Sequence, residues 1–409
     1  MNSLRARPSG EFQGAVWFLT ALAAGDVGAL SEWLGANELD AGMADWLGGH
    51  GLKPYAFYRL REAGLLNRLA REVEAALRGA YYASAAQHIL LAAELKALLA
   101  ALRPLGVEPI VLKGMALGTT LYPAPATRPV SDLDILIERA LARTSASGSS
   151  SSVEPSQTGQ SLEVVKQVFQ ARGYRDMGLD PDQHQAFSNH LHVWREYPGG
   201  KRVAIEAHWD LVHDPAYAGR IDLDGVRTRA QWAEFGEYRV LVLDPADQFI
   251  HACAHLTLHH AESWNLLWLL DLRLLVGRYG EAWDWVAIMG RAAEAQLGGA
   301  VRYWLDLTER WYGPFLQEQA RQALAAVEPA EMEQSYLAVA TGGGRQVWQR
   351  VWARARGSGD WRGRLVYIGE TFFPPWSYMP YRYKARSRWL APFYYGWRLV
   401  RAGLVAFRR

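Results

Sequence analysis

Cysteine is almost absent from this sequence, which has a single one, Cys253, among 409 residues. One cysteine cannot form an internal disulfide, so a reducing compartment is the natural setting. Half of the residues are hydrophobic, which is enough for a sizeable core, and the length suggests two to three domains.

The sequence also lacks a targeting pattern and a long early apolar run. Its first residues, MNSLRARPSGEF, contain no basic region followed directly by an apolar core and a small-residue cleavage site. The apolar run at 15–24 is interrupted by Thr20 and suits a buried helix rather than a membrane span. We therefore expect a cytoplasmic protein with no integral membrane segment.

A strong net charge is missing too, because the formal charge is only +2. The charge is unevenly spread, however, since residues 350–409 have a net charge of +11 and the rest of the chain has −9. The aromatic, arginine-rich stretch 376–409 could bind nucleic acid through phosphates and stacking, or lie on a membrane surface. A docking tail that covers the acidic body is the third possibility.

The most informative stretch that is present spans residues 108–137. Its order predicts a strand, a glycine turn, a helix, a loop and a second strand. The first strand is the apolar run 109–112, and the turn is Lys113-Gly114. Small residues of helical character, 115–121, follow the turn. We predict that the rest of the chain is organised around this stretch.

Two acids lie on the second strand of that stretch. Side chains alternate along a strand, so Asp132 and Asp134 share one face, while the opposite face carries Leu133, Ile135 and Ile137 toward a core. Two carboxylates about 4 Å apart repel by about 4 kcal/mol at an effective dielectric constant of about 20. A divalent cation would compensate this repulsion, and Mg²⁺ prefers hard oxygen ligands. The alternative is a solvated acidic face on an edge strand.

Three phrases, LKGMAL at 112–117, LYP at 121–123 and RPVSDLDILI at 128–137, resemble a bacterial family labelled "uncharacterised nucleotidyltransferase". That family belongs to the DNA polymerase β-like superfamily, and the resemblance extends over most of the chain from roughly residue 80. It implies an α+β fold, with a mixed sheet and flanking helices between mostly helical N-terminal and C-terminal regions. It also implies Mg²⁺-dependent transfer of a nucleoside monophosphate from an NTP such as ATP to an acceptor hydroxyl, with release of pyrophosphate.

The resemblance also assigns residues to the site. A hairpin is predicted for 190–197 and 202–209, and the family's Glu-x-His-Trp motif falls on its second strand. The implied catalytic and metal-binding residues, for one or two Mg²⁺ ions, are Asp132, Asp134 and Glu206. The implied nucleotide-binding residues are Lys113, Gly114, Arg128 and His208. Many superfamily members have Gly-Ser at the turn, where this chain has Lys-Gly, which leaves the triphosphate contact less well defined.

Several histidines have more than one interpretation. His208 could contact phosphate, position Glu206 or only bond within the sheet. His190 and His192 share a face of the partner strand that could line the same cleft, but a histidine on a strand more often has a structural role. A later predicted helix, 246–260, carries further histidines at four-residue spacing on one face: His251, His255 and His259. Zinc is disfavoured there, because alanine follows the first histidine and the lone cysteine lies beside the face. A buried contact of the second of these, His255, with Asp271 is expected instead, or a polar group presented to the nucleotide.

By pattern, the chain divides into four regions: a helical N-terminal region at 1–104, a nucleotidyltransferase core at 105–243, a helical domain at 244–345 and a basic aromatic segment at 346–409. The serine-rich stretch at about 143–161 is predicted to be a disordered insertion. Strong helix formers in 73–102 predict one long helix, whose buried stripe comprises Ile89, Leu90, Leu95, Leu98, Leu99 and Leu102.

Two other functions remain open at this point. The chain could be a non-catalytic nucleotide- or RNA-binding protein of the same fold, or an aminoglycoside-type enzyme that modifies a small molecule. Acids at all three expected positions argue for catalysis. The sequence does not identify the acceptor, which could be a protein, a peptide, a sugar or an RNA end.

Overall fold

The computed structural model describes residues 13–137, 161–176, 190–212, 219–260 and 263–341, together with positions 214 and 217 and a few between 361 and 400. The predicted disordered insertion, except Ser161, lies outside the described residues. Almost all of the basic segment 346–409 lies outside them as well.

The described chain begins with helices. They are α1 (Gln13–Ala24), α2 (Val27–Ala36), α3 (Ala41–Gly49), α4 (Lys53–Glu62) and α5 (Arg71–Leu102). The side chains of Asp26 and Asp40 cap α2 and α3 by accepting backbone N–H groups of their first turns. The predicted long helix is confirmed in α5, but Ile89 was wrongly placed in its buried stripe and is 72% exposed. Ile89 lies two positions before buried Leu91, and two positions correspond to a rotation of about 200° around the helix, so Ile89 points to the other side.

A mixed sheet of seven strands lies at the centre of the described chain. The strands are β1 (Ile110–Val111), β2 (Asp132–Leu136), β3 (Arg175–Asp176), β4 (His190–Glu196), β5 (Arg202–His208), β6 (Gln231–Phe235) and β7 (Tyr238–Val242), in the order β3-β4-β5-β2-β1-β7-β6. β1 pairs parallel with β7 and β2 pairs parallel with β5, while the other neighbours are antiparallel. This arrangement confirms the α+β fold and the predicted hairpin.

The remaining helices lie between the strands and after them. They are α6 (Lys113–Thr120), α7 (Ser161–Ala171), α8 (Leu223–Arg229), α9 (Pro245–Leu258), α10 (Leu266–Tyr279), α11 (Trp285–Glu294), α12 (Gly298–Tyr312), α13 (Glu318–Ala325) and α14 (Glu331–Thr341). Helix α9 begins after Asp244, the N-cap, whose side chain accepts the backbone N–H of Ala246.

Two hydrophobic cores organise these elements. One lies on a face of the sheet, where Leu133, Ile135 and Ile137 are buried against α5 and α7. The other combines the N-terminal helices with the helices after β7, and in it the ring of Trp46 on α3 lies 6.2 Å from that of Trp311 on α12. The predicted N-terminal and later helical regions therefore share one core, and the division of the chain into four domains stays a prediction.

Helix α5 connects the two cores. Residues 71–105 form the one described stretch that is long and apolar enough to cross a membrane, judged by length and composition. Leu77 is buried in the helical core, and Leu91 in the sheet core. Glu94, only 4% exposed, binds Arg172 at 2.7 Å. Because α5 contributes buried side chains to both cores and contains a buried, paired charge, we interpret it as a core helix.

Candidate active site

Two acids meet because two parallel strands are in register. β2 and β5 pair so that Asp134 lies directly beside Glu206, and Asp132 beside Ala204. Residues at the same level of adjacent strands point to the same face of a sheet. Asp134 is buried, whereas Asp132 and Glu206 are partly accessible. The three acids that sequence analysis singled out therefore lie on one face, opposite the sheet core.

Lys113 supplies the positive charge at this point. It follows β1, and its Nζ lies 2.8 Å from Asp134 Oδ1 and 3.9 Å from Glu206 Oε2. Its φ of 46° is in the left-handed region, which is uncommon for a residue with a Cβ. Strained backbone of this kind clusters at functional sites, where the surrounding structure holds it in place. The turn therefore directs an ammonium group at the two carboxylates.

Gly114 is required by close packing. A Cβ at this position would lie 2.8 Å from Arg128 Nη1 and 2.9 Å from Val130 Cγ1. Such distances are too short for any real side chain, so this glycine allows the start of α6 to approach the loop before β2. Gly114 also lines the cavity described below.

Three histidine rings lie close to these acids. His208 Nε2 lies 2.9 Å from Asp134 Oδ1 and 3.5 Å from Glu206 Oε2, and His192 Nε2 lies 3.6 Å from Glu206 Oε1. The ring of His190 stacks on that of His208 with centroids 5.4 Å apart. Two groups of side chains in the described chain are close enough to share an ion: Asp134 with Glu206 and His208, and His190 with His192 and Glu206. Glu206 belongs to both groups.

The environment separates the pKa values of the two central acids. Burial opposes ionisation of Asp134, but the charge of Lys113 and the hydrogen bond from His208 outweigh it and lower its pKa. Burial and the charge of Asp134 raise the pKa of Glu206 to about 7. Burial and Lys113 lower the pKa of His208 to about 4, so its ring is neutral at pH 7. Near neutral pH the site thus holds an ionised Asp134, a charged Lys113 and a partly protonated Glu206.

A cavity of about 330 Å³ opens in front of these groups. One wall is formed by the acids, Lys113 and the loop 128–131 before β2. The rest of the lining includes residues of α9 and α10 and of the turn between them, and its polar and aromatic residues are Gln248, His251, His255, His260 and Trp268. The volume is at the small end of the range typical of small-molecule sites.

Arg128 lines the cavity, but its guanidinium is engaged elsewhere. Its Nε and Nη2 donate to the two carboxylate oxygens of Asp271 at 2.8 and 2.7 Å. Tyr122 donates to the same carboxylate at 2.6 Å. The expected contact of His255 with Asp271 was therefore wrong, because Asp271 faces the loop before β2; the His255 ring packs 4.6 Å from that of His260.

Comparison with known protein families identifies the family to which the chain belongs. The pattern of a family described as uncharacterised nucleotidyltransferase matches residues 42–147 and 158–313, which is more than half of the sequence. The chain belongs to this family. Both matched ranges contain site residues, with the Lys-Gly turn and the paired aspartates in the first and the Glu-x-His motif in the second. No curated protein and no solved structure matches the chain.

Sequence reasoning missed Gln248, a polar residue that lines this cavity. It lies three residues before His251, on the same side of α9, and both line the cavity. That spacing was the available signal. Zinc at His251, His255 and His259 gains no support, since the described groups that could share an ion lie on the sheet.

Proposed function

We propose that this protein is an Mg²⁺-dependent nucleotidyltransferase that moves a nucleoside monophosphate from an NTP to an acceptor hydroxyl and releases pyrophosphate. The observation that supports this proposal best is the convergence of Asp134, Glu206 and Lys113 in the lining of one cavity. The family assignment supports the same reaction class.

The donor set suits a divalent cation. Two carboxylates and an imidazole offer ligand atoms within 4.8 Å of one another, and the Lys113 ammonium lies within ion-pair distance of both carboxylates. Asp132, Asp134 and Glu206 would hold one or two Mg²⁺ ions. When bound, Mg²⁺ supplies charge neutralisation and polarises the phosphate that is attacked. The histidines beside Glu206 would extend the range of accepted ions to Mn²⁺, because imidazole suits transition metals.

The residues of the chain have distinct tasks in this reaction. Lys113 exchanges its contact with Asp134 for the triphosphate, where it acts as a point charge. The acceptor oxygen forms a bond to the α-phosphorus as the bond between the α-phosphorus and the bridging oxygen breaks, and pyrophosphate leaves. Glu206 would either complete a second metal position or take the proton of the acceptor hydroxyl, a role that its raised pKa in the metal-free site favours. His208 keeps Asp134 in position through its 2.9 Å contact.

Arg128 has a supporting task in this scheme. Its two hydrogen bonds to Asp271 hold the loop that precedes β2 in place. Arg128 still lines the cavity. We propose that it stabilises phosphate charge from a distance and does not bind the triphosphate directly.

The first experiment measures nucleotide binding by calorimetry with and without Mg²⁺. The expected result is Mg²⁺-dependent NTP binding that Asp134→Asn weakens by about 100-fold or more, since ligands matter at least as much as the groups that orient them. Glu234→Gln is the matched control, because Glu234 is an exposed acid on edge strand β6. NTP or RNA binding that is equally strong without Mg²⁺ would favour a non-catalytic binding protein.

The second experiment seeks turnover. Labelled NTPs are incubated with Mg²⁺ and cell extract, followed by pyrophosphate detection and mass spectrometry of any modified protein, peptide, sugar or RNA. Glu206→Gln should bind NTP but transfer nothing. Transfer at the wild-type rate by this variant would contradict the role of Glu206.

A further inference from the structure

Two residues that line the cavity each have a buried side-chain atom that lacks a hydrogen-bond partner among the described residues. The atoms are Gln248 Oε1 and His251 Nε2, on side chains whose residues are 8% and 3% exposed. Both residues lie on α9 and line the cavity that contains the acids. Buried polar atoms are nearly always paired, because leaving one unpaired costs free energy. Two such atoms on one wall indicate a ligand.

The orientation of the Gln248 amide follows from its other contact. Its Nε2 donates to the backbone carbonyl of Leu243 at 2.8 Å. A carbonyl only accepts hydrogen bonds, so the nitrogen must be on that side. The atom left without a partner is therefore the amide oxygen, a hydrogen-bond acceptor.

The tautomer of His251 follows in the same way. The imidazole forms a hydrogen bond with the backbone of Leu211, and this bond favours the protonated form of the ring. A bond with this effect is one in which the ring N–H donates to a backbone carbonyl. Because Nε2 has no partner among the described residues, this bond uses Nδ1, which must bear the proton. Burial and the charge of Lys113 lower the pKa of His251 to about 3, so the ring is neutral at pH 7. Its Nε2 is then also an acceptor.

Aromatic rings lie on the same wall. The centroids of His260 and Trp268 are 4.4 Å apart, both residues are half-buried, and both line the cavity. Half-buried aromatic surface in a cavity suits a flat ring, since stacking of a base on an aromatic side chain contributes about 1–3 kcal/mol. The cavity thus has a charged end at the acids, two neutral acceptors and an aromatic surface.

We propose that Gln248 and His251 bind the nucleoside part of the NTP by accepting hydrogen bonds, and that Trp268 and His260 stack its base. The donors are either the amino group of the base or the vicinal hydroxyls of the ribose. This inference rests on the proposed function, in which the acids and Lys113 hold the triphosphate. It assigns nucleoside recognition to α9 and α10.

The test compares a nucleotide with its phosphate part alone. Affinities for the tightest-binding of ATP, GTP, CTP and UTP, and for tripolyphosphate, are measured with Mg²⁺ on the full chain. Gln248→Met and His251→Phe should each weaken NTP binding by about tenfold and leave tripolyphosphate binding unchanged. The ratio of the two affinities within one variant is unaffected by partial misfolding. His50→Phe, which removes a buried imidazole outside the cavity, should leave this ratio at the wild-type value.

Two further comparisons identify the donor. Weaker binding of the 2′,3′-dideoxy nucleotide indicates the ribose hydroxyls, and weaker binding of UTP than of the three amino-bearing nucleotides indicates the base. Tripolyphosphate that binds as tightly as every NTP, or variants that weaken both ligands equally, would overturn this inference and leave the proposed function intact. Failure of both NTP and tripolyphosphate to bind would overturn the proposed function together with it.

Discussion

At the scale of single residues, the Lys113-Gly114 turn does two different things. Lys113 adopts an uncommon backbone conformation that brings its ammonium to Asp134. Gly114 allows the backbone to approach Arg128 and Val130 more closely than any side chain would permit. The first residue provides charge for the site, whereas the second provides space for the fold.

Gly114→Ala should therefore destabilise the protein by about 1–3 kcal/mol, as overpacking of a tight site does. Urea unfolding followed by circular dichroism measures the change. Gly79→Ala is the matched control, because Gly79 lies exposed within α5 with no atom near its missing Cβ. That control should increase stability by about 0.5–1 kcal/mol through helix propensity. Equal effects of both substitutions would contradict the packing argument.

Glu206 should make ion binding depend on pH. Its pKa of about 7 means that half of the molecules must release a proton at pH 7 before this carboxylate can bind Mg²⁺. Affinity for Mg²⁺ should rise with pH through this value, with a drop of up to about tenfold for each pH unit below it. Calorimetry at pH 6, 7 and 8, in buffers of different ionisation enthalpy, measures both the affinity and the released proton. Glu206→Gln should lose the pH dependence, and a flat profile in the wild type would count against the assigned pKa.

At the scale of elements, the site is assembled where the sheet meets the helices. Asp271 on α10 binds Arg128 in the loop before β2, and Tyr122 after α6 joins the same carboxylate. Both members of the ion pair are buried, at 6% and 3% exposure. The pair therefore fixes the wall formed by α10 against the strand that carries the acids.

Asp271→Asn should cost about 3–5 kcal/mol, because it leaves a buried guanidinium without its counter-charge. Thermal or urea unfolding gives the value. Glu237→Gln removes an exposed partner of Lys96 and should change stability by less than about 1 kcal/mol. A loss at Asp271 as small as that of the control would mean that the loop relaxes freely when the pair is broken.

The histidines of α9 should make the fold sensitive to acid. His251 has a pKa of about 3 in the fold against 6.5 when exposed, because burial and Lys113 disfavour its charged form. In the unfolded chain His251 is protonated below about pH 6.5, whereas in the folded chain it stays neutral until the pH falls to about 3. This contribution to stability is present above pH 6.5 and falls as the pH decreases, by about 2 kcal/mol at pH 5.

Unfolding by urea at pH 7.5 and pH 5 tests this expectation. His251→Leu should lose less stability between these two pH values than the wild type, by about 2 kcal/mol. Comparison with the variant is needed because Glu206, whose pKa is raised, gains a proton in the fold over the same range and acts in the opposite direction. Parallel pH profiles of the two proteins would show that His251 titrates normally in the fold.

At the scale of the whole molecule, helices from the beginning and from the later part of the described chain share one core. Helices α1 to α4 are buried against helices that follow β7, and α5 runs from this shared core to the core on the sheet. The helices that form the second wall of the cavity are thus supported by the N-terminal part of the chain. Stability of the site depends on both ends of the described structure.

Removal of residues 1–64, which include α1 to α4, should therefore prevent native folding of the rest. The exposed face of the helical core would include Trp304 and Trp311, so near-ultraviolet circular dichroism should collapse and the protein should aggregate. A deletion limited to residues 1–12 serves as the control. A soluble 65–409 protein with native spectra would show that the N-terminal helices are a separate unit.

The sequence by itself determined the local pattern. Alternation along β2 and β5 assigned Asp132, Asp134 and Glu206 to the face opposite the core, and the Lys-Gly turn followed a short apolar strand. Strand β6 was not predicted, because it lies at a sheet edge with Gln231, Trp232 and Glu234 exposed and lacks apolar alternation. Periodicity reports which face is buried only where one face is buried.

Only the tertiary structure decided which distant residues meet. The partner of Arg128 is 143 residues away, and Gln248 and His251 line the same cavity as the acids although these elements are far apart in the chain. Side-chain spacing fixes neighbours within one helix or strand, but contacts between elements depend on how the cores pack. The acids could therefore be identified from the sequence, whereas the cavity residues on α9 and α10 could be identified only from the tertiary structure.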